Sequence, residues 1–502
     1  MAEPFYITTA ISYPNGPPHI GHAYEAIAAD VIARFQRAQG RDVRFQTGTD
    51  EHGLKMAQAA RAEGVEPRAF ADKMSLLFQQ MCDTLNVSYD RFIRTSQPDH
   101  YRASQAIWTA MAERGDLYLD RYEGWYSVRD EAYYEPDEIN DSADGGKLSP
   151  QGTPVEWTVE ESWFFRLSKY QQPLLDMYAA NPEFIQPDSR RNEVLRFVEG
   201  GLKDLSISRT SFDWGVPVPG SDKHVMYVWL DALTNYITGL GYPDDTELWQ
   251  RYWPANVHLI GKDVVRFHAV YWPAFLMSAG IALPKKIYGH GFLLSRGEKM
   301  SKSVGNVVDP MVLAERFGVD ALRYFLLREV PFGQDGSYSA EAIVARANAE
   351  LANSFGNLAQ RTLSMIHKNL DGVLPAPGDD SADRELLATV EDMTRTEIPD
   401  AFERFAFSQG IEAWLRAVFA CNQYVDAQAP WALRKSDPER MAAVLGTLVV
   451  ALRGLTRAIA PIIPDSADKL LSLIDAGEEG VPISQPVPLF PRLELEGEET
   501  AA

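Results

Sequence analysis

The first forty residues carry a clear pattern of apolar positions. "FYITTAI", from Phe5, is a short β-branched and aromatic run that reads as a buried strand, and Pro14, Asn15, Gly16, Pro17 and Pro18 then form a turn. Beyond the turn, Ile20, Tyr24, Ile27, Val31 and Phe35 recur at intervals of three and four, which predicts a helix; Gly40 supplies its left-handed stop before a second strand, "DVRFQTG". The unit is strand, helix, strand. Much later, "VHLI" reads as another strand. After Ser339 the pattern changes to long helical stretches rich in Ala and Leu, broken near "NLDGVLPAPGDD" and "DAQAPW", which predicts a helical bundle.

Composition narrows the class. The chain has 502 residues, 45% hydrophobic and 24% charged, which is ordinary globular chemistry and enough for several packed domains. Cys82 and Cys421 lie far apart in sequence, so neither a disulfide framework nor a thiolate-rich metal site is expected, and a reducing cytoplasm fits. The N-terminus has no basic leader pattern, and no run approaches the roughly 18 apolar residues a spanning helix needs, so no membrane association is expected. A formal charge of −22 argues against indiscriminate DNA coating, although a local basic groove can still bind nucleic acid.

Two stretches carry candidate chemistry. In "PPHIGHAYE", His19 and His22 stand three residues apart where the helix begins; they could be metal ligands, phosphate binders or incidental residues on a surface turn. A helix start offers unpaired backbone N–H groups and the positive end of the macrodipole, so a phosphate site is the working hypothesis. In "IYGHGFLLSRGEKMSKSVGNVVDP", a strand-like run ends at Leu294, "SRGE" makes a tight turn, and Lys299, Ser301, Lys302 and Ser303 follow before Gly305. A cationic loop of this kind can close over a triphosphate and neutralise its charge; a solvated basic turn is the plain alternative.

Taken together, "HIGH" and "KMSKS" resemble the signature pair of the class I aminoacyl-tRNA synthetases. "TTAISYPNGPPHIGHAYE", "GTDEHG", "YVWLDALTNY", "HLIGKDVVRFHAVYWPAFL" and "KMSKSVGNVVDP" are similar, in order and spacing, to the methionyl-tRNA synthetases, and the resemblance covers nearly the whole chain. It implies an α/β fold: a Rossmann-type parallel-sheet catalytic domain with an inserted connective domain, followed by an all-α anticodon-binding bundle. The implied divisions are 1–116 and 224–290 for the catalytic halves, 117–223 for the insertion, 291–344 for the KMSKS loop and stem-contact region, and 345–502 for the bundle. The implied activity joins methionine to tRNA through methionyl-adenylate, with ATP and magnesium. Initiator and elongator tRNA(Met) are the implied partners, and a monomer is expected.

The resemblance also assigns residues. Ala10, Ile11, Tyr13, Trp229, Ala232, Tyr236, Val264 and His268 would enclose the methionine side chain, with Asp50 on its ammonium group. His19, Gly21, His22, Glu25, Gly261, Asp263, His290, Lys299 and Lys302 would bind ATP, and of these His19, His22, Lys299 and Lys302 would be catalytic. Asn357, Arg361, Pro430 and Trp431 would read the anticodon. Physical reasoning agrees in part. A polarizable thioether favours aromatic contacts, and Trp229 and Tyr236 lie seven residues apart, on one face if the segment is helical; a core helix with an aromatic stripe has the same pattern. Gly21 lacks a Cβ and lets a nucleotide approach. Asp263 follows a strand, where it could meet ribose hydroxyls or cap the next helix. Asn357 and Arg361 are i and i+4 neighbours suited to base edges, and Trp431 is either a stacking platform or a core aromatic.

Departures from the family are equally specific. Leu233 stands where relatives often carry proline. Relatives with a zinc knuckle have cysteine pairs in the insertion, but here Ser127 and Asp130 occupy the first pair's place and no second pair is evident, so no structural zinc and no protein metal site are expected. The acidic stretch around Gly145 and Gly146 reads as a solvated loop. The insertion is too short for a hydrolytic editing domain, and because the sequence ends soon after the bundle, the extra C-terminal domain of some relatives is not expected. Two rivals share parts of the pattern: an adenylate-forming enzyme that joins an amino acid to a small molecule, and a non-catalytic RNA-binding module.

Overall fold

The computed structural model describes residues 2–130, 132–142, 145–295, 298–299, 307–478 and 480–495. The chain forms two compact units, each discontinuous in sequence: Met1–Pro18, Gln36–Asp83 and Ser88–His290 make the first, and His19–Phe35, Thr84–Val87 and Gly291–Ala502 the second.

The first unit is organised by a six-stranded sheet of β1 (Pro4–Thr9), β2 (Asp42–Thr49), β3 (Arg91–Arg94), β4 (Ile185–Gln186), β5 (Val257–Gly261) and β6 (Ile287–His290), in the order β3-β2-β1-β5-β6-β4. Every pairing is parallel. Strands covered on both faces need continuous apolar character, and all residues of β5 and β6 are buried. The order reverses between β1 and β5, which pair Ile7 with Val257 and Thr9 with Leu259. Doubly wound sheets bind ligands at such a switch point, beyond the carboxyl ends of the strands. The edge strand β4 comes from the stretch read as an insertion and joins the same sheet.

The rest of that stretch is built on an antiparallel hairpin of Leu117–Ser127 with Glu156–Phe165, in register from Leu117 against Phe165 to Tyr126 against Glu156. Around Gly145 and Gly146, the two-residue strands Asn140–Asp141 and Lys147–Leu148 are largely exposed, as the composition predicts. Ser127 and Asp130, by contrast, belong to a closed polar cluster. Ser127 Oγ lies 2.8 Å from Thr153 Oγ1, Ser149 Oγ donates to Asp130 Oδ2 at 2.9 Å, and Thr153 Oγ1 donates to the same oxygen. Ser127, Ser149 and Thr153 are buried, so hydroxyl and carboxylate hydrogen bonds close these two loops on each other.

Helix α1 (Ile20–Ala38) follows the Pro-rich turn, and Gly40, at φ +82°, ends the excursion. Helix α2 (Val228–Thr238) is almost wholly buried in the first unit. In the second unit, Leu293–Ser295 pairs with Glu298–Lys299 and with Gly336–Tyr338, and helices follow. The main ones are α3 (Val319–Arg328), α4 (Asn357–Asn369), α5 (Phe407–Gln428), α6 (Pro430–Ser436), α7 (Pro438–Ile459) and α8 (Pro464–Glu478). Trp414 on α5 is fully buried and donates its indole N–H to the Leu455 carbonyl of α7 at 3.0 Å. Arg440 on α7 grips Asp383 of the neighbouring helix Ser381–Asp392 with two hydrogen bonds of 2.6 and 2.8 Å.

By length and composition alone helix α7 could cross a bilayer, a test that the buried core helix of a soluble bundle also passes; Arg453 and Arg457 interrupt its apolar run. The helix is the core of the bundle, with Val444, Leu445, Leu448, Leu452 and Leu455 buried against its neighbours.

Candidate active site

At the switch point, the chain leaving β1 continues strand-like: Ala10 N–H donates to the Leu259 carbonyl at 3.0 Å and Ser12 N–H to that of Gly48 at 2.9 Å. Asp50 N–H in turn donates to the Ser12 carbonyl at 2.8 Å, which ties the buried Asp50 to Ser12, the residue that Ile11 and Tyr13 flank in the chain. Tyr13 Oη donates to the His52 carbonyl at 2.8 Å and accepts the Met56 N–H at 3.2 Å. Ala10, Tyr13, Trp229 and Val264, all partly buried, pack against one apolar core that includes Tyr236. Ala232 is buried and Ile11 half-buried.

Helix α2 delivers the aromatic pair to this region. Tyr236 stacks on His258 with ring centroids 4.0 Å apart, and its hydroxyl meets His268 Nε2 at 2.6 Å. His268 Nδ1 faces the Val264 carbonyl at 2.9 Å, so Nδ1 carries the proton and Nε2 accepts from Tyr236. Burial pushes the His268 imidazole down to about 4, against the raising effects of the Val264 carbonyl and Asp263. The ring is therefore neutral at physiological pH. Trp229 lies flat on Phe267, centroids 3.7 Å apart and 6° from parallel. Phe267 was not among the sequence-derived residues; "VVRFHAVYW" contained it, but only the π-type turn Phe267–Tyr271 turns its ring onto Trp229. Leu233 points into the core and is buried.

Gly261 and His290 end β5 and β6 as register partners, and both are buried. Asp263 is exposed in the turn Lys262–Val264, one of the first residues of the following helical run and not its cap. A Cβ on residue 261 would lie 2.8 Å from Asp263 Oδ1, so the glycine leaves room for that carboxylate.

The histidines begin α1. His19 Nδ1 accepts the Gly21 N–H at 3.1 Å, and His22 Nδ1 accepts the His19 N–H at 3.1 Å, with the rings 3.8 Å apart. This is a reciprocal cap with imidazoles in the places usually taken by Ser or Thr and Glu. Ile20 N–H donates to the Val308 carbonyl at 2.9 Å and His22 N–H to that of His19 at 2.9 Å. The expectation of unpaired N–H groups for phosphate is therefore corrected: the first turn is satisfied within the chain. With Nδ1 an acceptor, each ring carries its proton on Nε2. Gly21 has a second reason to be glycine, because a Cβ there would lie 2.9 Å from His19 Cε1. Glu25 is half-buried one turn further on. The backbone of Lys299 pairs with Leu294; Lys302 lies outside the described residues.

In the bundle, Asn357 and Arg361 are exposed on α4, Pro430 is buried, and Trp431 at the start of α6 is 49% exposed, which excludes a core aromatic. The Arg361 guanidinium stands 5.3 Å from the Trp431 ring centroid. Three of the four residues thus form one exposed surface feature anchored by a proline. Ala429, at φ +41°, turns the chain into it.

These features have counterparts. A family model described as class I tRNA synthetases (M) matches residues 5–363, and one for the anticodon binding domain of methionyl tRNA ligase matches residues 374–487. A methionine–tRNA ligase of Brucella suis is 58% identical over 505 residues, covering 98% of each chain, and one of Mesorhizobium japonicum is 59% identical over 477 residues, 94% of this chain and 91% of that one. The chain belongs to the methionyl-tRNA synthetase family. A solved Mycobacterium tuberculosis methionyl-tRNA synthetase in complex with methionyl-adenylate has a TM-score of 0.94 at 55% identity, covering 98% of this chain and 100% of that one. The activity is that of an ATP-dependent methionine–tRNA ligase of class I.

Sequence reasoning missed a buried network behind Tyr13. Asp231 on α2 has one oxygen 2.6 Å from His52 Nδ1 and the other 2.6 Å from His100 Nε2, and all three are buried. Burial opposes the Asp231 charge, yet His52 and the hydrogen bonds from both rings outweigh it and draw the carboxyl down to about 2. "GTDEHG" contains His52, but its ring partners, Tyr101 and Asp231, lie 49 and 179 residues further along. Among the described residues, no group of three or more His, Cys, Asp or Glu is placed to hold a metal ion.

Proposed function

We propose that the reaction divides among these residues as follows. Methionine sits against Trp229, Tyr236, Ala232, Val264, His268, Ala10, Ile11 and Tyr13, with Asp50 meeting its ammonium group. Gly261, Asp263 and His290 serve the nucleoside of ATP. His19, Gly21, His22, Glu25, Lys299 and Lys302 serve its phosphates. The methionine carboxylate attacks the α-phosphorus and pyrophosphate leaves; a hydroxyl of the terminal ribose of tRNA then attacks the methionyl carbonyl of the adenylate, forming the ester as AMP leaves and the hydroxyl proton is lost. No protein nucleophile is needed, and rate comes from positioning and charge stabilisation. Magnesium accompanies the nucleotide phosphates, supplying positive charge to the leaving pyrophosphate. The enzyme works as a cytoplasmic monomer without structural zinc, charges initiator and elongator tRNA(Met), and reads the anticodon with Asn357, Arg361, Pro430 and Trp431. The division of the chain into catalytic halves, insertion, stem-contact region and bundle follows the boundaries given above.

The single observation that carries the methionine assignment is the neutral His268 and Tyr236 pair beside the stacked Trp229, a polar atom pair closed on itself within an aromatic wall. Such a wall suits an uncharged thioether and offers a charged side chain nothing. The phosphate assignment is tested by Lys302→Ala. Single-turnover adenylate formation should slow by an amount corresponding to ~3 kcal/mol, as for loss of a preorganised donor, with methionine binding nearly unchanged. A wild-type rate would remove Lys302 from the mechanism.

A further inference from the structure

Arg323, on α3, is fully buried, and nothing in the reaction described above uses it. Its Nε donates to the Ile462 carbonyl at 3.0 Å. One terminal nitrogen donates to the carbonyls of Leu85 at 3.0 Å and Asn86 at 3.4 Å, the other to Asp30 Oδ2 at 2.6 Å and the Pro461 carbonyl at 2.8 Å. A guanidinium has five N–H donors, and each here has an oxygen.

The acceptors come from three separate stretches of the second unit. Asp30 is on α1, eleven residues beyond His19 and so about 16 Å along the same helix. It is itself fully buried and also takes the Nε–H of Arg34 at 2.7 Å. Leu85 and Asn86 form a short turn, and the Asn86 amide donates to Asp465 at the start of α8 at 2.6 Å. Pro461 and Ile462 join α7 to α8, and Asp320, one turn before Arg323, accepts the Ser466 N–H at 2.7 Å.

We propose that Arg323 is a positioning residue for tRNA charging, coupling the anticodon-binding bundle to the helix that opens with His19 and His22. A buried guanidinium cannot give up its carboxylate without leaving an uncompensated charge. A shift of the α7–α8 turn therefore either breaks a charge-assisted hydrogen bond or carries Asp30 and its helix along. Lysine cannot replace it, because a point charge with three donors does not span oxygens in a planar fork. The proposal rests on the bundle's reading of the anticodon.

The test compares kcat and KM for a tRNA(Met) transcript and for one with an altered anticodon, in wild type, Arg323→Lys, Asp30→Asn and the double variant. Methionine-dependent pyrophosphate exchange without tRNA is measured on the same preparations. Each single variant should keep exchange within about threefold and retain the KM difference between transcripts, but shrink the kcat difference about tenfold, with no further loss in the double variant. Asp30→Asn keeps the shape of the junction should Arg323→Lys fold poorly. An unchanged kcat difference, additive losses in the double variant, or parallel falls in exchange and charging would overturn the coupling role. A wild-type enzyme that does not distinguish the transcripts would overturn the anticodon reading as well, whereas full discrimination retained in the variants overturns only the coupling.

Discussion

At the scale of single residues, the two signature histidines hold the start of their own helix. Each spends its Nδ1 on a backbone N–H of the first turn of α1, and that choice fixes the tautomer that presents Nε2–H. His19→Asn separates the roles, since asparagine is a good cap but has no donor where Nε2 stands. Its melting temperature should stay near wild type while adenylate formation slows by ~3 kcal/mol, read from thermal melts and single-turnover kinetics. A large fall in melting temperature with normal chemistry would reverse the assignment. His268 gives a pH prediction. Its folded pKa of about 4 lies below the ordinary 6.5, so the unfolded chain takes up a proton first and stability falls as pH drops from about 6.5 to about 4. The loss should total about 3 kcal/mol and level off below that window. Urea unfolding of wild type and His268→Gln at pH 7, 5.5 and 4.5 isolates it as the difference between them, and a difference that does not vary with pH would contradict the buried neutral ring. The presence of His19, His22 and His268 was legible in the sequence; their tautomers were not, because these depend on the carbonyl or N–H that backbone geometry brings to Nδ1.

Among the elements, those with strong periodicity were legible: β1, α1, β2, β5 and the helices of the bundle stand where their patterns predict, whereas for α2 the sequence left the helix as a condition. Two features were not. β4 is only two residues long, too short for any alternation, and is a strand because β6 offers its edge. The Ser127, Asp130, Ser149 and Thr153 cluster uses residue types common in any turn, so only their convergence distinguishes it. The α4 and α6 pair supports a prediction on tRNA choice. Trp431→Ala should cost ~1–3 kcal/mol in binding of tRNA(Met), with a salt slope near wild type because no phosphate contact is lost. Arg361→Ala removes the guanidinium that covers the indole and should relax discrimination among anticodons. Filter binding at several salt concentrations and charging of anticodon-altered transcripts check both. Unchanged tRNA kinetics in both variants would remove the anticodon assignment.

For the molecule as a whole, strand order and the discontinuous units could not be read from periodicity, because crossovers set neighbours that sequence distance conceals. The fold class followed from the resemblance of ordered motifs instead, and the family match now covers residues 5–363 and 374–487. The central claim is that an uncharged aromatic pocket and a class I phosphate site together select methionine for activation. Amino-acid-dependent exchange of pyrophosphate into ATP, run across the twenty amino acids without tRNA, tests it most directly. Methionine should support exchange, and the isosteric aliphatic side chains should fall below it by at least the ~10–200-fold expected of a pocket contact that loses its fit. Equal or faster exchange with another amino acid, or none with methionine, would contradict the account.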